Sequence, residues 1–544
     1  MLKRLALPAV MMAALLFIML RATAESADPY GKYEPGITVH FVRCVDNTLN
    51  DNYFAQHPDK TIVDNLWTDL YKEKLGISVA YDWVVKDGDE YEQKLDLSII
   101  TGAIPEFFNV SALQMRQLAQ ADMIMPLDEI YETYATGFTK EVLAKGGMEP
   151  FEIATINGRL YGLPQTATDK EVDYVWIRTD WLQRLGLEKP TTMKDLMAVA
   201  QAFSEADFDG NGKADTYGPV FTSSLWDGFG SLKGFFNAFD AYPNIWIEKD
   251  GRLIYGSTLP GAREALAALN KMYESGLIDP EFGVNDASKV AELTTTGHAG
   301  IVYGAQWNAI WPLQYNKNAD PKAQWQALPI VTATGHEALT QTSSVTNKWT
   351  VVRKDAAHPE ALVKMYNLYI DTNWGENNQN SIYYAPIDSE SIWKLSPIYP
   401  EMPNKNIDAF LQLEDARILG DTSHLKGEAL SIQKKLDLFA QGSKEGFALW
   451  GWERVYGPDG AYSIYRDYLN SGRIVTDRYT AAPTETMSDF LSTLKAMQNE
   501  VFTKIILGDA PIESFDRFVS DFYALGGQQI TDEVNSWYRL QTFK

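Results

Sequence analysis

Apolar positions in the first hundred residues change their period repeatedly, and each change marks an element. Ile37 to Arg43 alternates and is β-branched, which predicts a strand. Ile62, Leu66, Leu70 and Leu75 recur at helical spacing in Thr61–Leu75, and Gly76 stops that helix. A second strand pattern covers Ile77–Trp83, a second helix covers Glu90–Thr101 before Gly102, and a third strand covers Ile104–Val110. Strand, helix, strand, helix, strand, with glycine helix stops, predicts an open α/β sheet wound in parallel.

The pattern continues less regularly. Residues 112–156 read as mostly helical, broken at Met125, Pro126 and Leu127. Asn157–Pro164 reads as turn, strand and turn. A new unit then opens with an apolar strand at Tyr174–Ile177 and two helix patterns separated by Lys189, Pro190, Thr191 and Thr192. Further on, strands are expected at Gly297–Tyr303 and Val345–Val352, and helices at Pro260–Gly276, Pro359–Thr372, Thr484–Leu507, Ile512–Leu525 and Thr531–Tyr538.

Length and charge narrow the classes. A chain of 544 residues is long for one core. A formal net charge of −24 repels phosphates, which argues against nucleic acid as a partner. Cys44 is the single cysteine, so no internal disulfide and no cysteine metal cluster are possible. Lys3 and Arg4 ahead of the apolar stretch Leu5–Leu20, with Ala22, Thr23 and Ala24 as a small-x-small site, read as a signal peptide over 1–24. An uncleaved anchor is the alternative, although about 16 residues containing Pro8 are short for a span of roughly 20. Residues 25–36 read as a linker, and the protein as exported.

One loop carries a metal signature. Asp207, Asp209, Asn211 and Asp215 occupy positions 1, 3, 5 and 9 of an EF-hand spacing, and Gly212 stands at position 6. The Lys213 carbonyl would add a fifth oxygen. Position 12, usually a bidentate Glu, is Gly218, so the expected Ca²⁺ site lacks one ligand or takes it from elsewhere. A solvated Asp/Gly/Asn turn is the plainer alternative. With neither His ligands nor an adjacent base, a metal here would be structural.

With these residues laid out, the chain resembles the extracellular solute-binding proteins (family 1) of carbohydrate ABC importers, in particular the LplA/LipO-like branch of Gram-positive bacteria. The resemblance rests on an ordered set of segments. They are Gly102–Glu106, Asn157–Pro164, Trp176–Leu187 with Pro190–Thr192, Asp215–Gly218, Phe502–Gly508, Leu525–Gly527 and Glu533–Tyr538. It implies a two-lobed α/β fold of the periplasmic-binding-protein type (type II) with discontinuous lobes around a ligand cleft. The N-terminal lobe would be 37–165 plus 297–345, and the C-terminal lobe 166–296 plus 346–544. It further implies a monomer that captures an oligosaccharide or sugar derivative by hinge closure and delivers it to a membrane permease. The branch usually carries a cysteine at the cleavage site. Here Ala24 and Glu25 stand there, so a lipid anchor is not supported.

With 15 Trp, 28 Tyr and 24 Phe, rings are plentiful, and rings in loops suit the flat apolar faces of sugars. Trp307 is the leading candidate, because in related proteins its neighbourhood lies in the cleft. Trp226, Trp311, Trp374, Tyr383, Tyr384, Trp450 and Trp452 are further candidates, and Asp227, Glu106 and Arg43 are candidate hydroxyl partners. For each ring, core packing is the competing reading. A secreted glycan-active hydrolase is the alternative function, as is a binder of a non-sugar ligand such as a peptide. However, the chain shows no Walker loop, His-Glu-x-x-His or Gly-x-Ser-x-Gly, and no carboxylate pair is tied to one site.

Overall fold

The computed structural model describes residues 27–45, 49–86, 88–208, 210–213, 215–226, 228–342, 346, 348–376, 378–384 and 392–542. The expected signal peptide, Asp209, Asp227 and part of the expected 345–352 strand lie outside the described residues. No helix among the described residues is long and apolar enough to cross a membrane.

The strands that organise the molecule are β1 (Ile37–Cys44), β2 (Ile77–Val85), β3 (Phe107–Val110), β4 (Leu163–Pro164), β5 (Tyr174–Arg178), β6 (Tyr217–Val220), β7 (Ala299–Gly304), β8 (Trp325–Leu328) and β9 (Trp349–Val352). They form two separate sheets, ordered β2-β1-β3-β9-β4 and β8-β5-β7-β6. The expected parallel winding holds for β1 with β2 and β3. β9 departs from it, running antiparallel to both β3 and β4. In the second sheet β7 is parallel to β6 and antiparallel to β5, and β8 is antiparallel to β5.

The helices close where the sequence closes them. The helix Leu66–Leu75 begins later than its apolar period, because Asn65 caps it and residues 61–64 form a bridged turn. Gly76, at φ 68°, ends it in the left-handed conformation.

Two sheets make two lobes, with cores that never merge. The first core takes residues of β1–β3 together with Trp349, Val351 and the helix Glu360–Trp374, and continues to Ile398. The second sheet is covered on both faces, so its strands divide their residues by period two. Val175, Ile177, Ile301 and Tyr303 face one core, while Tyr174, Trp176 and Val302 face another.

This corrects the expected lobe boundaries. Residues 299–304 and 325–328 pair within the second sheet, and 349–352 pair within the first, so the expected grouping of 297–345 with the N-terminal lobe is reversed. The structure also places helices Lys405–Leu419, Gly427–Ala440, Trp450–Tyr456 and Ala461–Ser471 where the hydrophobic pattern assigns no element. Their apolar faces build the third core.

Candidate functional site

The connection between β4 and β5, residues 165–173, carries the chain from one sheet to the other. In open α/β sheets ligands bind beyond the carboxyl ends of the strands. At the carboxyl end of β7, the turn Gln306–Ala309 brings Trp307 against this connection. The Trp307 indole Nε1 donates to Glu171 Oε1 at 3.0 Å. Trp311 stacks on Trp307 with ring centres 6.2 Å apart and planes 25° apart, and its other side meets Phe229. Both indoles are half-buried, and Glu171 is exposed. The result is an open aromatic platform with a carboxylate at its rim.

The turn is braced from behind. Gly451 lets the helix Trp450–Tyr456 touch it, since a Cβ there would lie 2.4 Å from the Ala309 carbonyl. The Gly451 amide also donates to Gln314 Oε1 at 2.8 Å. Across the connection, Gln165 donates to Asn109 Oδ1 at 2.8 Å and accepts from the Tyr399 amide at 3.3 Å, at the carboxyl end of β3.

The remaining expected residues are placed elsewhere. Trp226 is 5% exposed, packs on Phe236 and Phe502, and donates to Asn499 at 2.7 Å. Trp450, 2% exposed, lies in the third core, and Trp452 stacks on Tyr456 beneath the Lys435 ammonium. Trp374 packs between Tyr369 and Tyr384, and Tyr383 packs on Trp67. The Tyr384 hydroxyl is held by Glu401.

Glu106 precedes β3 at the end of the strand away from its carboxyl terminus, where it accepts from the His40 amide at 3.0 Å. The Arg43 guanidinium, 8% exposed, donates to the carbonyls of Cys44, Ser396 and Lys394. It staples the 394–396 segment to β1. Glu171 and Gln165 were not singled out from the sequence. The available signal was their position in the stretch joining a first-sheet strand to Tyr174.

The acidic loop closes on itself. Asp207 accepts from the amides of Gly210, Asn211 and Gly212 at 2.6, 3.2 and 2.9 Å. Asn211 accepts from the Lys213 amide at 2.7 Å and donates to Asp215 at 3.0 Å. The side chains of Asn211 and Asp215 therefore meet, while the Asp207 carboxylate sits on the amides of the same loop. Among the described residues no three His, Cys, Asp or Glu side chains come together as a metal group; Asp209 lies outside that set.

The structure also gives a reason for glycine at position 12. Gly218 presses β6 against the helix Met193–Glu205, and a Cβ would lie 2.5 Å from the Ala200 Cβ. The Thr216 hydroxyl is turned toward the Phe203 and Ala206 carbonyls, away from the loop. Arg184 donates to the carbonyls of Asp207 and Phe208, and the Phe208 ring stacks on Trp181 at 3.8 Å. Trp181 in turn lies under Arg178, whose guanidinium is paired with Asp180 and Asp320. The Arg178-x-Asp180-Trp181 block thus anchors the loop to the second lobe.

A second cavity, about 800 Å³, lies between the lobes at another place. Met148–Thr155 of the first lobe form one wall, residues 476–482 the floor, and Trp537, Tyr538 and Gln541 the other wall.

A family model described as bacterial extracellular solute-binding protein matches residues 55–372. The lipoprotein LipO of Bacillus subtilis (strain 168) is 37% identical over 149 residues, which is 27% of this chain and 30% of LipO. The fructooligosaccharide ABC transporter substrate-binding protein FusA of Streptococcus pneumoniae is 29% identical over 217 residues, 37% of this chain and 40% of its own. The chain thus aligns with less than half the length of these curated relatives.

Solved structures match over nearly the whole chain. The alginate-binding protein AlgQ2 without calcium ion gives a TM-score of 0.65 at 14% identity, covering 94% of this chain and 99% of its own. FusA in complex with kestose gives 0.63 at 16%, covering 93% and 100%. An EF-hand mutant of FusA in complex with fructo-nystose gives 0.62 at 16%, covering 93% and 100%. These likenesses show the fold, the two-lobed type II solute-binding architecture.

Proposed function

The chain belongs to the bacterial extracellular solute-binding proteins, and from that premise we propose that it captures an oligosaccharide or sugar derivative and delivers it to an ABC-transporter permease. The observation that carries the reading is the Trp307–Trp311 platform beside Glu171, at the carboxyl end of β7 and against the interlobe connection. The half-buried Trp307 indole, backed by Trp311, supplies apolar contact for a pyranose or furanose ring. Glu171, with Gln165 and Asn109 across the connection, supplies acceptors and donors for hydroxyls. The kestose bound by FusA supports the substrate class. Contacts from both lobes would favour a closed form, so ligand binding would proceed by hinge closure.

The sugar-dependent melting shift tests the placement. Trp307→Ala is expected to remove the shift given by a neutral oligosaccharide such as kestose, and Trp537→Ala to leave it intact. The reverse pattern would move the ligand to the cavity beside Trp537.

The acidic loop is the proposed place of a structural calcium ion. Asp207, Asp209, Asn211 and Asp215, with the Lys213 carbonyl, would hold it: their oxygens suit a hard cation, and the Asn211 and Asp215 side chains already meet. The EF-hand mutated in FusA, and AlgQ2 solved without calcium ion, support a calcium site in this fold. Its chemistry would be bracing, because the loop is tied to the Trp181–Arg184 helix and not to the aromatic platform.

A further inference from the structure

A polar cluster is buried where two interlobe connections pass each other. Asp169, in the 165–173 connection, is 2% exposed, and Glu401, in the stretch leading from the first core to the helix Lys405–Leu419, is 7% exposed. Paired hydrogen bonds stitch the connections together. The Glu401 amide donates to the Thr166 carbonyl at 2.8 Å, the Thr166 hydroxyl donates to the Glu401 carbonyl at 2.5 Å, and Asn406 donates to the Thr168 hydroxyl at 2.9 Å.

The groups that face the two carboxylates come from both lobes. Asp169 accepts from the Tyr462 hydroxyl at 2.6 Å and the Ile407 amide at 3.3 Å, with Asn406, Lys405, Tyr174, Tyr456 and Tyr465 around it. Glu401 accepts from Tyr384, with Lys405, Glu428, Asp169 and Tyr369 around it. The Lys405 ammonium is committed to both Glu428 oxygens at 2.8 and 2.7 Å and to Asn406 Oδ1 at 2.7 Å. Three carboxylates therefore face one ammonium, in a place where unpaired charge is costly. The cluster also reaches the aromatic platform. Gln306, next to Trp307, donates to the Tyr462 hydroxyl at 3.4 Å.

We propose that proton uptake by Asp169 and Glu401 is coupled to movement of the lobes, so that the hinge and the Trp307 turn respond to pH. Burial pushes Asp169 up to about 6, against the pull of the Tyr462 hydroxyl and Lys405. Burial likewise pushes Glu401 up to about 7, with Lys405 and Tyr384 opposing and Glu428 and Asp169 adding to the rise.

The sign follows from linkage. These are acids whose protonated form is favoured by burial, so the arrangement described here holds more protons than one in which water reaches the connections. Acid stabilises this arrangement. Raising the pH from the ordinary carboxylate range near about 4 up to about 7 favours arrangements that open the cluster. Full re-exposure of either carboxylate would change that equilibrium by up to about a few hundredfold.

Small-angle X-ray scattering of the ligand-free chain from about pH 4 to 8.5 tests this, with circular dichroism as the control for unfolding. At about pH 4 the curve should match the structure, and the radius of gyration should shift as the pH rises from about 4 to about 7. Asp169→Asn with Glu401→Gln should remove the shift. Should the double substitution fail to fold, each single one should remove part of it. A pH-independent radius in the unaltered chain, or an undiminished shift in the variants, would overturn the proposal. The inference rests on the solute-binder reading for its hinge, but the measurement needs no ligand. A chain that binds no sugar would sink that reading and leave this result to stand or fall separately.

Discussion

Trp307 and Trp226 are the same residue type with opposite surroundings, and that difference sets what each would do if removed. Trp226 is enclosed by Phe236 and Phe502, with its indole nitrogen committed to Asn499. Trp226→Ala would leave a large cavity in the second core and should cost about 3–5 kcal/mol of stability in chemical denaturation. Trp307 is half open, and its alanine variant should lose sugar affinity with a melting temperature close to that of the unaltered chain. Arg43 offers a third case. A buried guanidinium read as a hydroxyl partner instead serves three backbone carbonyls, so Arg43→Met should lower stability by leaving those carbonyls unpaired. Residue type alone does not separate these cases. Burial does, and burial depends on contacts far apart in the chain, such as Trp226 with Asn499.

Among the elements, the acidic loop and the helices flanking it form one brace. The Asp207 carboxylate caps three amides, Arg184 holds the loop carbonyls, and the stack of Phe208, Trp181 and Arg178 runs on into β5. A chelator should lower the melting temperature of the calcium-loaded chain. Asp207→Ala should lower it as well and abolish further sensitivity to chelator. A melting temperature indifferent to chelator in the unaltered chain would leave the loop a self-bonded turn.

These elements were legible in the sequence because their signals are local. Spacing gave the loop, strand patterns gave β1 and β2, and Gly76 marked the end of the helix between them, while its start at Asn65 emerged only from the structure. The helices between 405 and 471 were not legible. Their sequences mix charge with large aromatics such as Trp450, Trp452, Tyr462 and Tyr465, and the apolar stripe shows only against the sheet it covers.

Across the whole molecule, the two sheets and their lobes follow from the order of elements, but the crossings do not. A chain that returns to the first sheet at β9 and then leaves again through residues 396–406 shows no composition shift at either passage. For that reason the lobe boundaries drawn from the sequence failed at 297–345, while the two-lobed architecture was correctly anticipated. The same crossings put the Trp307 platform and the Asp169–Glu401 cluster within reach of one another through Tyr462 and Gln306.

The central claim is that this architecture binds sugar between its lobes. Isothermal titration calorimetry of the calcium-loaded chain against neutral fructo- and gluco-oligosaccharides, oligouronides and short peptides tests it most directly. Saturable heat is expected with at least one oligosaccharide, lost in Trp307→Ala and kept in Trp537→Ala. Saturable heat with a peptide and none with any glycan would contradict it.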